Sequence, residues 1–333
     1  MRIAITGSIA TDHLMAFPGR FAEQLMPDQL ATVSLSFLVD DLEVRRGGVA
    51  ANIALGLARL GLAPVLVGAV GPDFGEYGDW LRGQGVDTAS VRYSETRQTA
   101  RFMCTTDLDR NQIASFYAGA MAEAREIELA PTAARLGGLD LVLVSPNDPT
   151  AMVRHTEECR ALGRPFAADP GQQIARMDGA DLLRLVDDAW VLFTNEYEAA
   201  LLTKHTGRTH DELLDSVGTW ITTLGAEGIR IERSGAAPVL VPAVPVADPV
   251  EPTGLGDAFR AGFLAAVSWG LEMPRAAQLG CALAAVTLRQ IGPQGDAPDL
   301  PALLDSIRRT YGEEAAAELA PHLAAVPSPG GAR

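Results

Sequence analysis

Pro252-Thr253-Gly254-Leu255-Gly256-Asp257-Ala258-Phe259-Arg260-Ala261-Gly262-Phe263 sets two glycines immediately before an acid, and the acid at the head of an apolar periodicity. Phe259, Phe263, Leu264 and Val267 recur at helical spacing, which predicts a helix over 257–269. Gly254 and Gly256 allow a tight turn that brings backbone N–H groups together at the start of that helix. Free N–H groups and the helix dipole both favour negative charge there, such as a phosphoryl group gaining charge during transfer. A carboxylate in the same place repels an anion. The conflict disappears if Asp257 accepts the proton of a hydroxyl that attacks the phosphate. The plainer reading is an N-cap aspartate after a Gly-rich turn, and on this stretch alone the two weigh equally.

Around this turn the chain alternates strand and helix. Residues 139–145, 166–169, 191–195 and 220–224 read as short apolar strands, separated by helices near 149–162, 179–187 and 196–204. Strands at 2–7 and 65–70 and helices over 47–60 and 73–81 precede them, which argues for a parallel sheet covered on both faces. Residues 228–232 and 238–241 predict antiparallel edge strands, and helices are expected at 274–290, 300–309 and 312–325. Two stretches break the pattern. Alternation in 32–39, and the pair 99–105 and 112–117 about a polar turn at 107–111, predict a β appendage made from two excursions of the chain.

The 333 residues carry a formal net charge of −15 and no basic run, which argues against nucleic acid and anionic membrane as partners. No apolar run approaches the roughly 20 residues of a membrane span. Cys104, Cys159 and Cys281 are far apart and in no metal-ligand pattern, so each is expected as a small buried residue in a reducing cytoplasm.

Neither GxGxxG after the first strand nor GxxxxGK[ST] is present, so a ligand must be held by other groups at the strand ends. Asp12, Gly48 and Asn52 suit a vicinal diol, or are a turn aspartate and a helix-opening loop. Asn195 and Glu198 share a helical face and suit Mg²⁺ held through its waters, although as a pair they read more strongly as a capping box. The loop 222–228 either wraps a nucleotide or only joins two strands. Phe102, Phe116 and Met121 lie on or beside the appendage, as base-stacking groups or as its core.

Taken in order, Gly47-Gly48-Val49-Ala50-Ala51-Asn52, Asn195-Glu196-Tyr197-Glu198, Thr223-Leu224-Gly225-Ala226-Glu227-Gly228 and Pro252-Thr253-Gly254-Leu255-Gly256-Asp257 closely resemble the ribokinase-like (PfkB) carbohydrate kinases. The stretches 6–14, 17–21, 34–41, 114–117 and 169–173 are most similar to bacterial adenosine kinases of that type. The resemblance implies an αβα sandwich with a mainly parallel central sheet (1–14, 46–90 and 119–326) and a β-sheet lid (15–45 and 91–118), and the end of the chain reads as a disordered tail (327–333). It implies that Ser8, Asp12, Gly48 and Asn52 hold a ribose, that Phe102 and Phe116 stack adenine, and that Gln172 and Gln173 contact the nucleoside. Asn195 and Glu198 would order Mg²⁺, and Asn195, Thr223, Gly225 and Gly228 would lie along ATP. Asp257 would be the base, beside an anion hole of the Gly254, Leu255, Gly256 and Asp257 amides. A homodimer through paired lids is implied as well. Many members carry an aspartate that helps bind an activating monovalent cation where this chain has Glu251, and the longer carboxylate puts K⁺ activation in doubt. The expected reaction is ATP-dependent phosphorylation of the adenosine 5′-hydroxyl in a soluble cytoplasmic enzyme. The alternatives are a sugar kinase, a guanosine or inosine kinase, or a non-catalytic sensor on the same scaffold.

Overall fold

A computed structural model describes residues 1–25 and 34–327. In chain order the strands are β1 (Ile3–Thr6), β2 (Ala10–Ala16), β3 (Asp41–Gly47), β4 (Val65–Val70), β5 (Asp87–Tyr93), β6 (Ala100–Thr106) and β7 (Gln112–Tyr117). They continue as β8 (Leu141–Val144), β9 (Phe166–Ala168), β10 (Val191–Asn195), β11 (Trp220–Thr223), β12 (Ile229–Glu232) and β13 (Val239–Val241). The helices are α1 (Phe21–Gln24), α2 (Val49–Arg59), α3 (Gly75–Gly83), α4 (Leu129–Leu136), α5 (Pro149–Ala161) and α6 (Gly179–Val186). After them come α7 (Glu196–Thr206), α8 (His210–Asp215), α9 (Leu255–Ser268), α10 (Met273–Thr287), α11 (Leu300–Tyr311) and α12 (Glu313–Ala324).

A nine-stranded sheet runs in the order β13-β12-β11-β10-β9-β8-β1-β4-β5. Its strands are parallel from β5 to β11, and β12 and β13 close one edge antiparallel. The parallel strands are continuous apolar runs because helices bury both of their faces. Ile3, Ile5, Leu141, Leu143, Val191 and Phe193 join one core with α2, α9, α10 and α11. The alternate residues Ala4, Val142, Val144 and Leu192 join a second core with α5, α6 and α7. That alternation is the period-two signature of strands packed on both sides.

Chain direction across the sheet reverses at β1, which has β4 on one side and β8 on the other. In open α/β sheets ligands bind beyond the carboxyl ends of the strands at such a reversal. Here Ser8 N–H, just past β1, donates to Pro146 C=O, just past β8, at 2.8 Å.

The small sheet has the order β3-β2-β6-β7, with β2 and β6 parallel and both outer pairs antiparallel. Three expectations are corrected here. Residues 34–39 form no strand, and Thr32 and Val33 lie outside the described residues; the strand is Asp41–Gly47 instead. Phe37 supplies the apolar signal that mimicked a strand, packing its ring 5.0 Å from those of Phe17 and Phe21. The small sheet begins at Ala10 rather than at 15, and residues 91–93 belong to β5 of the large sheet, beside β4. Of the expected tail, Pro327 has no secondary structure and 328–333 lie outside the described residues. The three cysteines are free and buried. Among the described residues no helix is long and apolar enough to cross a membrane.

Candidate active site

Gly254 is the N-cap of α9 in the left-handed region, at φ 80°. A Cβ there would stand 2.3 Å from Pro293 Cβ, so the turn accepts only glycine. The first α-helical bond runs from Ala258 N–H to Gly254 C=O (2.9 Å), and no side chain caps the helix. The N–H groups of Leu255, Gly256 and Asp257 therefore precede the intrahelical ladder; Leu255 has only a long 3.4 Å contact to Pro252 C=O. α9 is seated against α10 by small residues: a Cβ on Gly262 would approach Gly280 Cα to 2.8 Å.

This turn divides two cavities. On one side about 560 Å³ is lined by Ser8, Asp12, Gly48, Asn52, Gly254 and Asp257 at one end, and by Phe102, Phe116, Met121, Gln172, Gln173 and Arg176. On the other, about 960 Å³ is lined by Asn195, Thr223, Gly225, Gly228, Leu255 and Gly256. The structure thus brings together every expected ribose, base and nucleotide residue, and sorts the anion-hole residues onto a shared wall.

Within the smaller cavity the small sheet forms a roof. Asp12 on β2 stands in register with Phe102 on β6, which is paired with Phe116 on β7. Burial pushes the Asp12 carboxyl up to about 6, with Arg45 opposing the shift and the charges of Glu251 and Asp257 adding to it. Ser8 accepts the Val49 N–H at its Oγ (3.0 Å), fixing the start of α2.

Asp257 is buried, and desolvation lifts its carboxyl to about 6 against the pull of Arg260 and of a hydrogen bond from Asn52. Asn52 Nδ2 donates to Asp257 Oδ2 at 2.8 Å. The amide is oriented by Gln294, whose Nε2 donates to Asn52 Oδ1 (2.7 Å) and to the Tyr77 hydroxyl (2.6 Å), which itself donates to Gly47 C=O (3.0 Å). Asn52 thus commits its oxygen and one N–H to the protein, leaving one N–H for a ligand.

Sequence reading missed three groups here. Gln294 and Tyr77 carry no local signal, because their partners are remote in the chain. Arg260 had one, since it follows Asp257 by three residues on the same helix. Its buried guanidinium pairs with the buried Asp169 carboxylate, lies 5.6 Å from the Phe193 ring, and also feels Asp257. Burial raises Asp169 while Arg260 pulls it back.

Asn195 and Glu198 form the reciprocal capping box, each side chain bonded to the other's backbone N–H at 2.8 Å. The second Glu198 oxygen has no protein donor among the described residues. Glu251 is likewise engaged: its Oε2 accepts from Arg45 Nη1 (3.0 Å) and from Gly292 N–H (3.1 Å).

A large parallel sheet, a small sheet roofing its carboxyl end, and a cleft divided by one helix start define a ribokinase-like protein. Residues 8–300 match the model of the pfkB family carbohydrate kinases, and the chain belongs to that family. It is 31% identical to the nucleoside kinase of Methanothermobacter thermautotrophicus over 82% of this chain and 87% of that one. A solved structure of the Burkholderia thailandensis nucleoside kinase in complex with inosine superposes with a TM-score of 0.81 at 35% identity, covering 93% of this chain and 98% of that one. The adenosine kinase of Sinorhizobium meliloti shares the fold, with a TM-score of 0.71 at 23% identity over 92% of this chain and 98% of that one.

Proposed function

We propose that this chain transfers the γ-phosphoryl group of ATP to the 5′-hydroxyl of a purine nucleoside. The observation that carries the reading is Asp257, buried in the wall between the two cavities at the only free N–H groups of α9's first turn. With the nucleoside in the smaller cavity, its ribose lies by Ser8, Asp12, Gly48 and Asn52 and its base beneath Phe102 and Phe116. Asp257 takes the 5′-hydroxyl proton as the oxygen attacks phosphorus. Burial lifts its carboxyl to about 6, which leaves it mainly ionised near neutral pH yet basic enough to accept that proton. The Leu255, Gly256 and Asp257 N–H groups hold charge on the transferring group. ATP lies in the larger cavity along Asn195, Thr223, Gly225 and Gly228.

A bound Mg²⁺ would supply positive charge to the triphosphate. Asn195 and the free oxygen of Glu198 fit that role through the ion's waters, since their capping bonds leave acceptor capacity over. The Arg45 guanidinium already neutralises Glu251, which supports turnover without K⁺.

Adenosine, giving AMP, is the substrate expected from sequence; inosine or guanosine is the second reading, favoured by the polar groups at the base end. The names of the Methanothermobacter and Burkholderia relatives, and the inosine bound to the latter, support a nucleoside over a bare sugar. Exposed Ile113, Phe116 and Tyr117 on the edge strand β7 support a homodimer through the small sheets, which sedimentation at graded concentrations tests. The buried, unpaired cysteines support a cytoplasmic setting, which fractionation of the source cells tests.

The primary experiment measures ADP release with Mg·ATP and adenosine, inosine, guanosine or ribose, each with and without K⁺. Purine nucleosides are expected to turn over far faster than ribose, equally in both salts. Turnover confined to ribose, or none with any acceptor, refutes the nucleoside reading; a tenfold K⁺ stimulation refutes the role given to Arg45.

A further inference from the structure

The small sheet and the turn that starts α9 come from distant parts of the chain, and an ion pair joins them beside the cleft. Arg45 on β3 stands opposite Asp12 on β2, so the two side chains share a face of the small sheet. Arg45 Nη1 donates to Glu251 Oε2 at 3.0 Å, and Nη2 donates to Glu43 Oε2 at 2.6 Å. Glu43 lies two residues back on the same strand and the same face, so it steadies the guanidinium from its own side. The Arg45 and Glu251 side chains are only 20% and 26% exposed, and salt screens such a pair less than one at the surface.

Glu251 is where three pieces of the chain meet. It lies in the segment leading into Gly254, and the adjacent Val250 N–H donates to Leu288 C=O at 2.8 Å, tying that segment to the end of α10. The oxygen that accepts from Arg45 also accepts the Gly292 N–H at 3.1 Å. The next two residues both serve the site: Pro293 packs against Gly254 too closely for a Cβ there, and Gln294 orients the Asn52 amide that bonds Asp257. Neither Arg45 nor Glu251 lines the acceptor cavity, so each acts through what it holds. We propose, resting on the nucleoside-kinase reading above, that Arg45 and Glu251 are positioning residues whose pair sets the small sheet, and Asp12 with it, in register with the turn Gly254–Asp257. Charge on Glu251 could be met by any cation. Register requires the cation to be part of β3.

The test compares steady-state rates of the wild type, Arg45→Met, Glu251→Gln and the double variant, with adenosine or inosine as acceptor. Glu251→Gln removes the charge but keeps an oxygen for the Gly292 N–H. Each single change is expected to lower kcat about 10–100-fold, as misplacement of a reacting group does, with KM for ATP changed less than about threefold. The double variant is expected to be within about twofold of the slower single one, because the second change has no pair left to break. Arg45→Lys, which keeps a tethered charge, is expected to recover part of the loss, whereas added K⁺ leaves Arg45→Met slow. Hydrogen exchange needs no turnover: in Arg45→Met it is expected to rise about fivefold or more over 250–257 as well as over 41–47, with β8 unchanged. Losses that add in the double variant, full restoration of Arg45→Met by K⁺, or unchanged exchange over 250–257 overturns the positioning role while the kinase reading stands. A wild type that turns over no nucleoside overturns the kinase reading, and hydrogen exchange then decides the role of the pair by itself.

Discussion

The two cavities on either side of α9's first turn are built from different materials. The smaller is lined by groups that can each ask a question of a ligand: carboxylates, amides, a guanidinium and two aromatic rings under a separate sheet. The larger is walled chiefly by small and apolar groups such as Ala226, Val244, Pro245, Ala284, Ala285 and Leu288. A hydrogen-bonding wall rejects a mismatched ligand because its own buried groups are left unpaired, whereas an apolar wall discriminates only by shape. With nucleoside and ATP placed as proposed, acceptor choice would reside on one side of the turn and donor tolerance on the other.

The strongest challenge to this division is Asp257→Asn. It should lower kcat by roughly 10²–10⁴-fold while leaving the Kd for nucleoside within threefold, as general-base losses commonly do. Isothermal titration beside steady-state rates separates the two, and an Asn variant with near-normal turnover would refute the base assignment.

Next in size is Arg260→Met. The lost cation lets burial raise Asp257 further, and because only the ionised carboxylate accepts a proton, the acid limb of kcat/KM moves upward from about 6. The same change strands the buried Asp169 carboxylate and should cost about 3–5 kcal/mol of stability. Arg260→Met with Asp169→Leu should recover most of that stability, read by denaturant midpoint, without returning the limb to its original pH. A limb that stays in place shows that Arg260 serves folding alone.

The smallest expected effect concerns the apolar cavity. Replacing ATP by GTP or another purine triphosphate should change kcat/KM by less than about tenfold, since few polar side chains there read the base. A donor preference of a thousandfold would show that the larger cavity reads hydrogen bonds as the smaller one does.

Much of this was legible in sequence, for a physical reason. Strands buried on both faces, such as Val65–Val70 and Val191–Asn195, are continuous apolar runs between turn residues, and the pattern survives without tertiary context. β3 was not legible: most of its residues are exposed, so no burial pattern marks Asp41–Gly47 as a strand. Phe37 misled in the opposite sense, because an aromatic cluster in an irregular segment produces the alternation of a strand. In the site, the residues expected to touch a ligand stood in recognisable local motifs. Those that position them did not. Gln294 reaches Asn52 across 242 residues and Arg260 reaches Asp169 across 91, and no local spacing encodes such pairings.

A wall only one helical turn thick also has pharmacological weight. A compound joining a nucleoside to an adenine nucleotide through its 5′-oxygen could occupy both cavities only if its phosphate chain passes the turn Gly254–Asp257 that borders both. Inhibition by a graded series of such conjugates should therefore depend steeply on the number of bridging phosphates, with the tightest member gauging the path that the migrating group itself must travel.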